Sequence, residues 1–368
     1  MPLQKVRGIH GKYNVVDFDP DILRLTGVVY SPFPGLPEEP WGIFDHGQKA
    51  VMPCRFWQGG AVPEAPGQAL LTHLHYPLIE HEPSRQTYVY VGVFHEHYGH
   101  FLLSTFSRFW SQSLFADTGV KLLFHSDRDI GYWFAKPYIA ALFAALGLGP
   151  DRFVRFDRPM RLAELIIPCP AFEETGFAHA AFARACNLIG ARLAAPHLDA
   201  GYAGRPVYLS KSKVRKGVGS IVNEDDMVEV LSKYGVDVAH LETLEFAQQI
   251  ALFHNREVVA GPTGSVLHTS IFAPGRSILG LCSVDSNFSS FMMLDSINKA
   301  EAEYVFPEGD MEELPDTGDF HNLFRLRSPA RTAEEFVRLI DDRYRSIGTT
   351  RAGPPPPRAT ARKPNFKV

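Results

Sequence analysis

An α/β fold built as two units is what this 368-residue sequence predicts, and three observations carry the prediction. Short apolar runs alternate with helical patterns from Tyr88 to Ile167, and the same alternation restarts at Arg205 and runs to Leu281. Alternation of this kind favours parallel strands covered by helices on both faces. The length also accommodates two units at roughly 100–200 residues per domain.

Residues 1–85 read as a strand- and loop-rich lead-in, because β-like runs at Gly27 to Tyr30, Ala50 to Met52 and Ala69 to Thr72 are separated by turn clusters such as Ser31 to Gly35. Tyr88 to Gly92 is then a strand, followed by a helical pattern through His97, Phe101, Ser104 and Arg108. Lys121 to Phe124 is the next strand, Tyr132 to Leu148 one long apolar helix, and Arg152 to Arg155 and Leu165 to Ile167 are further strands. The second series begins with the strand Val207 to Ser210 and the basic loop Lys211 to Lys216. Asn223 is placed to cap a helix over Glu224 to Tyr234, with Glu224, Asp225 and Asp226 in its positive first turn and Gly235 as its stop. Strands at Val236 to Ala239, Glu257 to Ala260 and Ser277 to Leu281 flank a helix over Leu244 to Phe253 and the glycine turn Gly261 to Ser265. The expected domains are 1–195, 196–330 and a last helix at 331–346. Residues 347–368 are Pro-rich, basic and expected to be disordered.

A 45% hydrophobic, 21% charged composition is that of a globular chain rather than a disordered or fibrous one. The net charge of -4 argues against nucleic acid as a partner. Cys54, Cys169, Cys186 and Cys282 show no CxxC, so neither a zinc ribbon nor a disulfide scaffold is implied. No apolar run approaches the ~20 residues of a membrane span, and the first residues lack a signal-peptide core. A cytoplasmic protein is expected, with peripheral membrane contact left open.

Two constellations can do chemistry. The turn bearing Gly261, Gly264 and Ser265 follows a strand and opens a helix, an arrangement suited to a phosphate, although GxGxxG and GxxxxGK[ST] are both absent. Lys211, Lys213, Arg215 and Lys216 follow another strand end and can neutralise a diphosphate. The other constellation is His95 to His100, in which three imidazoles and Glu96 could supply a general base. His100, Ser104 and Arg108 fall on one helix face, with His97 at its mouth. Competing readings remain. The H-x-H-x-D-H zinc pattern is approximated at His73 to Pro77 and at His95 to His100 without its Asp, which suggests a metallohydrolase with an impaired second site. Asp127 and Asp129 form a DxD of the kind that holds manganese with a nucleotide sugar.

Residues 205–281 resemble the C-terminal half of glycosyltransferase family 61, the capsular polysaccharide biosynthesis type. The matching pieces come in order: Ser210 and Lys211 at a strand end, Arg215, then Asn223, Glu224 and Asp225 opening a helix, Leu244 to Gln248, and Gly261-Pro262-Thr263-Gly264 before a helix ending in Phe272, Ala273 and Pro274. Upstream, His97 to Leu103 with Arg108 and Trp110 is similar to the family's first-domain helix. The resemblance implies a GT-B-like architecture, two Rossmann-like domains facing across a cleft, and inverting sugar transfer from a nucleotide donor without an essential metal or further cofactor. It implies His100 and His97 as catalytic candidates. Lys211, Arg215, Asn223, Glu224, Gly261, Pro262, Thr263, Gly264 and Ser265 would face the nucleotide sugar, a UDP-linked one being the first candidate. The acceptor would be a saccharide or glycolipid in surface polysaccharide synthesis.

Four positions depart from the family pattern. Thr263 stands for a His and Val266 for the last Gly of the turn; Gly280 lacks an acidic residue; and Ser104 replaces the acidic residue of the first-domain helix, leaving no carboxylate expected there. A degenerate, binding-only relative is therefore the alternative.

Overall fold

The computed structural model describes residues 3–33, 41–47, 49–56, 79–199, 205–214, 219–315 and 322–350. Two sheets organise it. The first has five strands in the order Ile22–Thr26, Glu164–Pro168, Thr87–Val93, Lys121–His125, Phe153–Val154, parallel except for the antiparallel edge Ile22–Thr26. The second has six, in the order Gln4–Lys5, Glu301–Phe306, Ser277–Leu281, Val258–Pro262, Val207–Leu209, Asp237–Ala239. Only Gln4–Lys5 runs antiparallel in it. Val258–Pro262 and Ser277–Leu281 are buried at every residue, as strands covered on both faces must be.

The helix Ala180–Ala194 lies between the two halves. Gly190 lets it approach the Phe272 carbonyl so closely that any side chain there would collide. One apolar cluster runs from Val89 and Phe101 through Phe182 and Ile189 to Phe246, Ile271 and Met293, so both halves share a continuous core.

Several elements differ from expectation. The lead-in does not stay with the first unit: Gln4–Lys5 pairs with Glu301–Phe306, and Gly8–His10 pairs with Ser286–Phe288. Ala50 makes only an isolated bridge to Phe44, and Met52–Cys54 is a 3-10 turn. The expected strand at Ala69 to Thr72 lies outside the described residues. The long helix after Tyr132 is two, Ile130–Phe134 and Pro137–Ala145. Pro137 has no N–H to give and forces Lys136 into an extended conformation, so the helix restarts there. The last helix is Pro329–Thr350, longer at both ends than expected and reaching into the stretch expected to be disordered. Residues 351–368 lie outside the described residues.

Candidate functional site

The strand Thr87–Val93 carries a bulge between Tyr90 and Val93, where Gly92 adopts φ +92°, a conformation that favours glycine. Beyond it the chain passes through His95, Glu96 and His97 into a helical segment that changes pitch twice. Tyr98–His100 is α, Phe101–Thr105 is a π turn, and Phe106–Arg108 is 3-10. The expected regular helix is therefore a distorted one, and π turns recur at functional sites. The imidazoles cluster at its mouth: the His100 ring centroid lies 4.9 Å from that of His95 and 4.8 Å from that of His97. His95 Nδ1 accepts the His97 backbone N–H at 3.1 Å, and its ring stacks on Phe56. Desolvation, with the charges of His100 and His97, pushes His95 down to about 4. At the rim, His97 is lowered by desolvation and by His100.

The carboxylate that Ser104 cannot supply arrives from elsewhere. Phe172–Glu173 and Phe177–His179 form an antiparallel hairpin, and Glu174 sits in its turn. Its Oε1 is 2.7 Å from His100 Nδ1 and accepts the Ser104 hydroxyl at 3.0 Å. The expectation of no carboxylate beside Ser104 is thus corrected. The next residue, Thr175, holds the left-handed φ of +54°. It is fixed there because its N–H donates to Ser290 Oγ and its carbonyl accepts from Lys12 N–H, both at 2.8 Å. Burial works against charge on Glu174, but His100, His268 and Ser104 outweigh it and hold the carboxyl below its ordinary value. A carboxylate on Nδ1 orients the imidazole and fixes the proton there, which leaves Nε2 as the basic nitrogen.

The glycine turn lies at the end of Val258–Pro262. Its five residues play different parts. A Cβ on Gly261 would stand 2.7 Å from the Leu209 carbonyl oxygen, so this glycine serves strand packing rather than ligand approach. Pro262 has no N–H, and the Thr263 N–H donates to the Leu281 carbonyl at 2.9 Å. Neither can donate a backbone hydrogen bond to a phosphate. Gly264 and Ser265, half-exposed, are left to open the short helix Ser265–His268. Gly264 is extended at φ 161°, and the space beside its Cα is occupied by the Lys211 ammonium, 3.2 Å from where a Cβ would lie.

The two expected constellations meet at Gly99. A Cβ there would lie 3.1 Å from Ser265 Cβ, 3.3 Å from His97 Cε1 and 3.4 Å from His268 Nδ1. Beside it the Tyr98 and Thr269 hydroxyls hydrogen-bond at 2.9 Å. His268 is 8% exposed, and neither ring nitrogen has a partner among the described residues. Burial brings it down to about 4, with Glu174 opposing and His97 and His100 adding to the fall.

Of the remaining donor-side candidates, Lys211 stays with the turn. Its Nζ donates to the Gly219 carbonyl at 2.6 Å, and burial lowers its pKa against the pull of Glu224. Arg215 lies outside the described residues. Asn223 stands at the N-cap position as expected, but its side chain makes no capping bond; it donates to the Leu326 carbonyl at 2.9 Å and accepts the Leu326 N–H at 3.0 Å. Glu224, 1% exposed, accepts the Lys211 N–H at 3.0 Å and the Tyr208 hydroxyl at 3.1 Å, so it braces the start of the basic loop. Gly280 also has a packing reason, since any side chain there would collide with the Tyr304 ring.

The competing motifs take structural roles where they are described. Asp129 caps Ile130–Phe134 by accepting the Tyr132 N–H, and Asp127 pairs with its neighbour Arg128. His73 to Pro77 lies outside the described residues, and no three His, Cys, Asp or Glu side chains among the described residues are grouped to hold a metal ion. No helix among them is long and apolar enough to cross a membrane.

Sequence reasoning missed Glu174 and His268. The first had a usable signal, Glu-Thr-Gly between two apolar runs, which is a hairpin turn. A family model described as Glycosyltransferase 61 matches residues 98–279, a span that contains His100, Glu174, Lys211, the glycine turn and His268. No curated protein matches the chain.

Proposed function

The chain belongs to glycosyltransferase family 61, and on that premise we propose that it is an inverting transferase using a nucleotide-diphosphate sugar. The observation that supports this reading best is the convergence at Gly99, where the His100–Glu174 pair and the start of the helix after the glycine turn come together. The acceptor hydroxyl attacks the anomeric carbon from the face opposite the leaving diphosphate. His100 Nε2 takes the hydroxyl proton, and Glu174 stabilises the imidazolium that results. The glycosidic bond forms as the bond to the diphosphate breaks, and Lys211 with the Gly264–Ser265 amides meets the charge left on the phosphate. His97 borders the same space and is the second candidate for the proton.

In this reading the half built on Thr87–Val93 holds the acceptor and the half built on Val258–Pro262 the donor, in a GT-B-like arrangement. The product belongs to surface polysaccharide or glycolipid synthesis of the capsular type, made in the cytoplasm at the membrane face. Thermal denaturation with a panel of nucleoside diphosphates tests donor binding. Stabilisation by one base, weakened in Lys211→Met, is expected; no stabilisation by any of them contradicts a nucleotide donor.

A further inference from the structure

Beside the histidine cluster lies a small, open-mouthed pocket lined by Arg55, Phe56, Ser104, Arg108 and Glu173 among others. Ser104 is common to both places, because its hydroxyl donates to the Glu174 oxygen that meets His100. Phe56 is likewise shared through its stack on His95.

Two arginines line this pocket, and among the described residues neither pairs with a carboxylate. Arg108 is 3% exposed, and its hydrogen bonds go to the Pro53 and Pro168 carbonyls, with the Tyr90 ring 5.3 Å from its charge. Arg55 is half-exposed, but its Nε is buried with no partner among the described residues, and burial lowers that guanidinium below its ordinary value. The Arg108 charge is thus buried and touched only by neutral groups, which is costly unless an anion joins it. The acidic side chain on the wall does not do so: Glu173 is folded back over Gly176, and burial pushes its carboxyl up against the pull of Lys12.

We propose that this pocket binds an anionic substituent of the acceptor, a sugar carboxylate or a phosphate ester, through Arg55 and the charge of Arg108. Arg55 contributes directional N–H donors, which suit the planar or tetrahedral oxygens of such groups. Arg108 is anchored by its carbonyl bonds and supplies fixed positive charge. An acidic acceptor held here has its neighbouring hydroxyls delivered toward Ser104, Glu174 and His100. The term acceptor rests on the transferase reading above; the anion site does not.

The test is titration calorimetry on the full chain with methyl β-glucuronide, methyl β-glucoside and inorganic phosphate. The glucuronide or phosphate should bind at least about tenfold more tightly than the glucoside, a difference of about 1.4 kcal/mol. Arg55→Gln should erase that preference, and Arg55→Lys should retain part of it. Tighter binding of the glucuronide assigns the site to a sugar carboxylate, and tighter binding of phosphate to a phosphate ester. Equal binding of all three probes, no binding, or an unchanged preference in Arg55→Gln overturns the proposal. Nucleotide-sugar hydrolysis by the unmodified protein is measured in parallel. Hydrolysis without anion binding sinks the pocket alone, whereas anion binding without hydrolysis sinks the transferase reading and leaves the anion site.

Discussion

His100 Nδ1 and Glu174 Oε1 stand 2.7 Å apart although 74 residues separate them in sequence, and the hairpin that carries Glu174 is locked by Ser290 and Lys12. The carboxylate that the first helix lacks is therefore restored from a different element. Replacing Glu174 by Gln keeps the shape of the side chain and removes its charge. Sugar transfer should then fall by about 10²-fold in kcat, with donor KM unchanged, because only the imidazolium formed during proton transfer loses its partner. Steady-state kinetics with the donor varied decides the point, and an unchanged kcat contradicts the dyad.

Acid should weaken the fold through His268. Its pKa is brought to about 4 by burial, against about 6.5 in an unfolded chain. Between those values the unfolded state binds a proton that the folded state refuses, so stability falls as pH drops from about 6.5 to 4. Glu174, held below its ordinary value, loses its contribution further down as pH falls through its folded pKa. The loss from His268 is on the order of 2 kcal/mol. Denaturation at pH 7 and pH 5 should show it, with a flatter dependence in His268→Phe.

The two glycines of the turn should separate packing from binding. Gly261→Ala forces a methyl to 2.7 Å from the Leu209 carbonyl oxygen and should cost about 1–3 kcal/mol of stability. Gly264→Ala meets only the flexible end of Lys211, at 3.2 Å, on extended backbone. It should fold normally and weaken nucleoside-diphosphate binding by displacing the ammonium. Urea denaturation and calorimetry on both variants distinguish the two roles.

Asn223 should behave as a brace. Asn223→Ala removes both of its hydrogen bonds to Leu326 and should lower stability by about 1–3 kcal/mol without changing donor affinity. Reduced affinity in a variant of normal stability would return Asn223 to the donor site.

The parallel strands were legible because each is a short apolar run closed by turn residues, and Thr87–Val93, Lys121–His125 and Ser277–Leu281 lie where the runs do. The break at Pro137 was missed although its signal, a proline inside an apolar helical pattern, was present. Pairing of Gln4–Lys5 with Glu301–Phe306 was not legible, since a two-residue edge strand has no periodicity of its own. At the site, the histidines and the glycine turn stood out by residue type. Glu174 did not, because its role depends on a hairpin folding against a helix 70 residues earlier. Glu224 misled for a related reason: a carboxylate in a helical first turn reads as ligand-facing or capping until Tyr208 and Lys211 are seen to enclose it.

Nucleotide-sugar turnover measures the central claim most directly. The purified protein is incubated with a panel of nucleotide sugars, and nucleoside diphosphate release is followed with and without saccharide acceptors. One donor should be consumed, and that turnover should be lost in His100→Ala while the variant still melts cooperatively. Release from none of the panel by folded protein, or full release by His100→Ala, would contradict the account.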